Sequence, residues 1–386
     1  ITNIMINSST MRWFITILIG STPDVGLAQK TSSDNPAASA AQELLVTSLA
    51  DYSATQQPIP GTLRFAVETG VRPCTVRFNV GGQIILKRKL YIVAPFIAID
   101  GSTAPGDGIT ICRWPVEIVN THDVVLRHLR IRCGDCWNSE QVLLQQHGVG
   151  GQRSLLVFGD RPTPVQNVLV ENCSIQNSTD DNGNVWGNCR NIVFRYCIFS
   201  GSHIEMSKAF LAGDAPDKPN PDAPDWLTLD HCLFSEAWGR TPDVAGGVCH
   251  LVNSVMVAPM QGGRFSHAKA NIIGNYLVSK TNHPWTVPDR VLVAEAHTIA
   301  DNALFVSGNY LDGQLCANSN TIGQLNKGQT SLPARVFRTD PWPGAPPAEL
   351  ATKALTGVLG KAGCTLPKRD DHDSKLIERM SRLIGH

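Results

Sequence analysis

One short phrase recurs through residues 167–310, and it limits the folds open to the chain more than any other feature. Asn167-Val-Leu-Val-Glu-Asn-Cys-Ser-Ile175 is followed by Asn191-Ile-Val-Phe-Arg-Tyr-Cys-Ile-Phe199 and by Asp225-Trp-Leu-Thr-Leu-Asp-His-Cys-Leu-Phe234. Looser copies stand at 249–256, 271–278 and 303–311, and an earlier one at 123–131. Each is rich in β-branched and aromatic residues and has the length of a strand. Aligned, the phrases put His128, Asn172, Tyr196, His231, Asn253, Asn275 and Asn309 in one column, spaced 172 − 128 = 44, then 24, 35, 22, 22 and 34. A floor of 22 with longer exceptions describes a coil of fixed size that carries insertions in its loops. No coil buries its apolar side alone, so the coils must stack. The next column, Leu129, Cys173, Cys197, Cys232, Ser254, Tyr276 and Tyr310, reads as an interior stack. The pattern predicts an all-β, single-stranded parallel β-helix.

Other features set the ends of this solenoid. Met11-Arg12, the apolar run 13–19 and Gly26-Leu-Ala28-Gln29 have the layout of a short signal peptide, and 29–42 reads as a flexible lead-in. Residues 1–42 are therefore expected to be a signal-like, flexible segment, and the protein secreted or periplasmic. Residues 43–386 are expected to form one β-helix domain with its C-terminal tail packed on it. A first strand is predicted at 46–50, and a short amphipathic helix at 63–68 that plugs the open end of the barrel. Strands are predicted at 74–80, 83–86, 90–93, 96–99 and 109–112. Residues 340–350 are read as a Pro-rich arm laid over the barrel, and 373–384 as an amphipathic terminal helix.

With 33 basic and 33 acidic residues the chain has no strong global field, which argues against a nucleic-acid partner. No run approaches the ~20 apolar residues of a membrane span. The chain is expected to act as a monomer. Of the 11 cysteines, Cys173, Cys197 and Cys232 are read as small core residues. Cys133-Gly-Asp-Cys136 is read as a loop disulfide or two free thiols in preference to a zinc site, because no second pair stands at zinc-ribbon spacing.

Counting forward from the polar column locates a candidate site. Asp180, Asp181 and Asn184 follow Asn172, Glu205 and Lys208 follow Tyr196, Arg240 follows His231, and Arg264 follows Asn253, all at similar offsets. Successive coils would then present acidic, mixed, basic and basic residues at one angle. Stacked strands lie ~4.8 Å apart, so Asp180 and Arg240 should be on the order of 10 Å apart. A groove graded from carboxylates to cations suits a polyanion that brings a divalent cation with it.

The same residues carry a family resemblance. Gly61-Thr-Leu-Arg-Phe-Ala-Val67, Gly101-Ser-Thr-Ala-Pro-Gly-Asp-Gly-Ile-Thr-Ile111, Thr179-Asp-Asp-Asn-Gly-Asn-Val-Trp-Gly187, Ser207-Lys208, Arg240-Thr-Pro242 and Leu366-Pro-Lys-Arg-Asp370 together resemble the pectate lyases. That family consists of polysaccharide lyases built as right-handed parallel β-helices. The resemblance implies a carbon–oxygen lyase that cleaves 1,4-linked polygalacturonate, or a related acidic plant-type polysaccharide, by β-elimination with Ca2+. By resemblance, Arg240 would abstract the C5 proton and Lys208 would hold a substrate carboxylate. Asp180 and Asn184, with Asp181 beside them, would supply calcium ligands. Arg153 stands where relatives carry a calcium-binding Asp, and it could pair with the substrate carboxylate in the cation's place. Arg264 is a further substrate-binding candidate. Ala245 replaces the second arginine of the family's Arg-x-Pro-x-x-Arg. Two other readings compete: a non-catalytic polysaccharide-binding β-helix, and a polygalacturonase-type hydrolase using Asp180 and Asp181.

Overall fold

A computed structural model of the chain describes residues 42–137, 152–160, 162–202, 208–213, 223–257, 262–279, 292–294, 301–316, 322–324 and 334–385. The signal-like leader, Glu205 and the core of the insertion after Gly213 lie outside them. Each coil contributes a strand to one parallel sheet, then to a second, then to a third. Among the described residues the first sheet has ten strands, from Gln42–Val46 to Ala303–Ser307. The second has ten, from Gly82–Ile85 to Gln314–Leu315, and the third nine, from Leu90–Ile92 to Ile322–Gln324. Among the described residues only the final pair, Tyr310–Leu311 with Gln314–Leu315, is antiparallel. The protein is the expected right-handed parallel β-helix.

Register explains the repeated phrase and corrects part of it. Arg127, Glu171, Arg195, Asp230, Val252, Ile273 and Ser307 pair in sequence along the first sheet. The next residue of each coil turns the corner to the second sheet in a left-handed conformation: His128, Asn172, Tyr196, His231 and Asn253, at φ 51, 51, 50, 54 and 54°. In the last two coils this position is held by Gly274 and Gly308, at φ 65 and 66°, and not by Asn275 and Asn309. The spacing there is 274 − 253 = 21, one less than the sequence alignment gave. Asparagine tolerates the left-handed region but is also at home as a buried hydrogen-bonding rung, so the two columns are easily exchanged.

Asn275 and Asn309 therefore join the interior column of Leu129, Cys173, Cys197, Cys232 and Ser254, while Tyr276 and Tyr310 sit one step further on. There the side chains form a ladder. Ser254 Oγ accepts from Cys232 N at 3.1 Å, Asn275 Oδ1 accepts from Ser254 N at 2.8 Å, and Asn309 Oδ1 accepts from Asn275 N at 2.9 Å. The core beside it is aromatic: Phe194, Phe199, Phe210 and Phe234 meet at centroid distances from 5.0 to 6.4 Å. Gly183 lies under this cluster, and a Cβ there would come within 2.6 Å of Phe199 and 2.7 Å of Phe210.

The N-terminal end is plugged, and the C-terminal tail lies along the flanks of the barrel. Helix α1, Leu63–Thr69, starts where Thr62 caps Phe65 N and plugs the N-terminal coil as expected. Its Arg64 is buried, donates to Asp51 at 2.7 and 2.9 Å, and reaches the carbonyls of Arg88 and Lys89. The first strand is Gln42–Val46, earlier than the expected 46–50, because this register pairs it with Cys74–Phe78. The Pro-rich arm lies on the first sheet, where Asn271 and Asn253 accept from Trp342 N and Glu349 N at 2.9 and 2.8 Å. A helix absent from the sequence reading, α2 (Ala351–Lys361), packs with α3 (Asp371–Ile384) on the second sheet. Arg132 fixes α3 through Asp370 and Asp373 at 2.7 and 3.0 Å.

All eleven cysteines are free thiols. Cys133 is buried and donates to Gln152 O, whereas Cys136 is exposed and faces Gln83, so this pair takes the two-thiol alternative. Burial pushes the Cys133 thiol up to about 12, which keeps it protonated and inert.

Candidate active site

The site lies where chain leaves the second sheet and enters the third. The backbone ladder starts there before the strands do. Lys208 N donates to Asp180 O at 2.8 Å, Ala209 N to Gly239 O at 3.0 Å, Phe210 N to Arg240 O at 2.9 Å, and Arg264 N to Pro242 O at 2.9 Å. Asp181 pairs with Lys208 across the sheet, and Asp243 with Arg264. These bonds bring Asp180, Asp181, Lys208, Arg240, Asp243 and Arg264 to one edge of one sheet. On the outward face, Leu156, Asn184, Leu211, Asp243 and Arg264 follow one another as a column.

The charges are paired rather than graded, which corrects the expected gradient. Arg153 Nη2 is 3.3 Å from Asp180 Oδ2. Nη1 of Arg240 donates to both oxygens of Asp181, at 2.9 and 3.0 Å, so Arg240 reaches across two coils. Arg264 Nε donates to Asp243 Oδ2 at 3.1 Å, and Arg264 Nη2 reaches the same oxygen. Four cations, with Lys208 as the fourth, face three carboxylates, and Lys208 forms no ion pair among the described residues.

Burial dominates the electrostatics. Asp181 is 1 % exposed, and this desolvation pushes its carboxyl up to about 6 although Arg240 and Lys208 pull the other way. Desolvation also lowers the Lys208 ammonium from its ordinary value, assisted by Arg240 and opposed by Asp181 and Asp180. Arg240 takes the left-handed conformation at φ 55°. Its Nη2 has no hydrogen-bond partner among the described residues, and its buried Nε lies 3.6 Å from Asp243 Oδ2 without a hydrogen bond.

The donors that calcium would need are already committed to the cations of this edge. Asp180 faces Arg153, and Asp181 faces Arg240. Asn184 gives its amide to Asp181 at 3.2 Å, and its Oδ1 is buried without a partner. One amide oxygen is far short of the ~6–8 oxygens calcium takes. Among the described residues no group of three or more His, Cys, Asp or Glu converges. As placed, the residues do not fit calcium.

Sequence counting located Asp180, Asp181, Asn184, Lys208, Arg240 and Arg264, the family resemblance added Arg153, and all seven fall on this edge or the face beside it, while Glu205 lies outside the described residues. It missed Asp243. The available signal was its position three residues after Arg240 and one coil before Arg264.

Fold and edge together define a pectate-lyase-like β-helix, and the resemblance read from the motifs holds along the chain. Two fungal relatives, each named probable pectate lyase C, are similar over 83% of this chain and 69% of their own length. The protein of Neosartorya fischeri is 26% identical over 332 residues and that of Aspergillus flavus 24% over 331. No protein-family model matches. Among solved structures, that of Jun a 1, the major allergen from cedar pollen, shares the fold with a TM-score of 0.59 at 18% identity, covering 83% of this chain and 88% of that one. No helix among the described residues is long and apolar enough to cross a membrane.

Proposed function

We propose that the protein is a secreted, monomeric polysaccharide lyase that cleaves 1,4-linked polygalacturonate, or a related polyuronate, by β-elimination. Arg240, having first lost a proton to solvent, takes the C5 proton of a uronate, a C4–C5 double bond forms, the C4–O bond breaks, and the departing chain leaves with a proton from solvent. The supporting observation is the edge itself: across five successive coils, Arg153, Lys208, Arg240 and Arg264 stand around three carboxylates. The similarity to probable pectate lyases adds to it.

The chemistry constrains the roles. A proton α to a carboxylate is barely acidic until cations neutralise that carboxylate and the enolate-like transition state. Lys208, as the surplus cation, would hold a substrate carboxylate. Arg153 would do the work assigned to calcium elsewhere, leaving Asp180 to meet the substrate carboxylate with a planar pair of donors. Nη2 of Arg240 is the edge open to C5. Arg264 would bind the neighbouring uronate. A second reading, a polysaccharide-binding protein without turnover, is favoured by one feature: the grip of Asp181 on Arg240, which disfavours loss of a proton from the guanidinium. The hydrolase reading has less support, since Asp180 and Asp181 face different arginines.

The test is incubation with polygalacturonate, with and without chelator, followed by ultraviolet absorbance of the unsaturated product. Absorbance should appear and persist under chelation, and Arg240→Ala should abolish it with the fold intact. Reducing ends without absorbance would indicate hydrolysis, and binding without reaction the non-catalytic reading. Full activity of Arg240→Ala would remove the assigned base.

A further inference from the structure

We infer that Asp243 is a positioning residue that aims two arginines of successive coils, Arg240 and Arg264, into the groove. This rests on the lyase reading of the same edge. Asp243 is 4 % exposed, and it projects from the outward face of a short strand, Asp243–Ala245. A buried carboxylate requires partners, and here they come from two directions. Arg264, its register neighbour, grips Oδ2 through Nε and Nη2. Arg240, three residues earlier, brings its Nε to 3.6 Å from that same oxygen.

The unsatisfied Nε is the informative atom. A buried guanidinium N–H without an acceptor is costly, and Asp243 Oδ2 stands 3.6 Å from this one. A closing movement of less than an ångström turns this approach into a hydrogen bond. Held by Asp181 at Nη1 and by Asp243 at Nε, Arg240 is fixed in its plane and offers only Nη2 to a ligand. Arg264 is held by the same oxygen, so the separation of the two guanidinium groups is set by one carboxylate. Hydrogen bonds seen long in a free site commonly tighten when substrate is bound. A misplacement of ~1 Å costs on the order of 100-fold in rate.

The test compares wild type with Asp243→Asn, which keeps the shape and removes the charge. On polygalacturonate, kcat should fall by about 10- to 100-fold. KM should stay level or fall, because the groove becomes more positive toward an anionic substrate. In an Arg264→Ala background the same substitution should cost less than in wild type, since both changes act on one cluster. Unchanged kcat, or kcat falling together with a rising KM as in a general loosening, would overturn the inference. So would additive losses in the double variant. If the Asn variant does not fold, Asp243→Glu carries the test: a carboxylate one methylene further out should lower kcat at constant KM, and wild-type kcat would refute the role. Wild type that is inactive on every uronan removes the lyase reading and this inference together, whereas active wild type with an unaffected variant removes the inference alone.

Discussion

Asp181 shows how burial and pairing compete in a single side chain. It is paired with Arg240, flanked by Asp180 and Lys208, and bonded to Asn184, yet desolvation raises its carboxyl from 3.8 to about 6. A folded-state value above the unfolded one means that the native protein binds the extra proton between the two. The contribution of Asp181 to stability is therefore largest below pH 4, declines as pH rises through about 6, and is level above that. Asp181→Asn should abolish this decline in denaturant titrations run from pH 4 to 7. Protonation also releases Nη1 of Arg240. We expect an acid limb near pH 6 in kcat/KM that is absent from the Asn variant; an identical limb in both would show that another group titrates. The positions of these residues were legible in the sequence because a fixed coil turns loop offsets into angles. Their pairing was not, because an offset says nothing about which of two neighbouring carboxylates a long guanidinium reaches, and Asp243 escaped notice for that reason.

At the scale of elements, the phrase that made the solenoid readable also misled by one residue. His128 through Asn253 mark the corner correctly, but Asn275 and Asn309 mark the ladder beside it, where Gly274 and Gly308 take the corner. Strand existence and order were legible from the alternation of apolar residues. Helix α2 was not, since two Thr, a Val and two Gly dilute the helical propensity of its Ala, Leu and Lys and it has no side-chain cap, and it forms because Ala351, Ala354, Leu355 and Val358 bury against the second sheet. The aromatic core makes a sharp packing prediction. A methyl group at Gly183 would meet two phenylalanine rings, so Gly183→Ala should destabilise by about 1–3 kcal/mol, read as a lower thermal midpoint. A neutral result would mean that Phe199 and Phe210 can move apart.

Across the whole molecule, both ends are secured by buried arginines. Arg64 locks α1 to the first coils, and Arg130 and Arg132 hold the C-terminal segment through Asp370 and Asp373. Ser174 also donates to Asp373. Asp373→Ala would leave Arg132 with Asp370 and Gln176 but strip its Nη2 and Ser174 Oγ of a buried acceptor, and should cost about 1–3 kcal/mol. Limited proteolysis should then release α3 at protease levels the wild type survives; equal resistance would show that apolar packing alone retains the tail.

The charged edge has a consequence for how such a protein can change. Connections entering the third sheet leave the barrel at a single corner, while the interior is completed coil by coil without them. Lengthening or recharging that one margin could retune which sugar acids are accepted, and the stacked rungs behind it would scarcely register the difference.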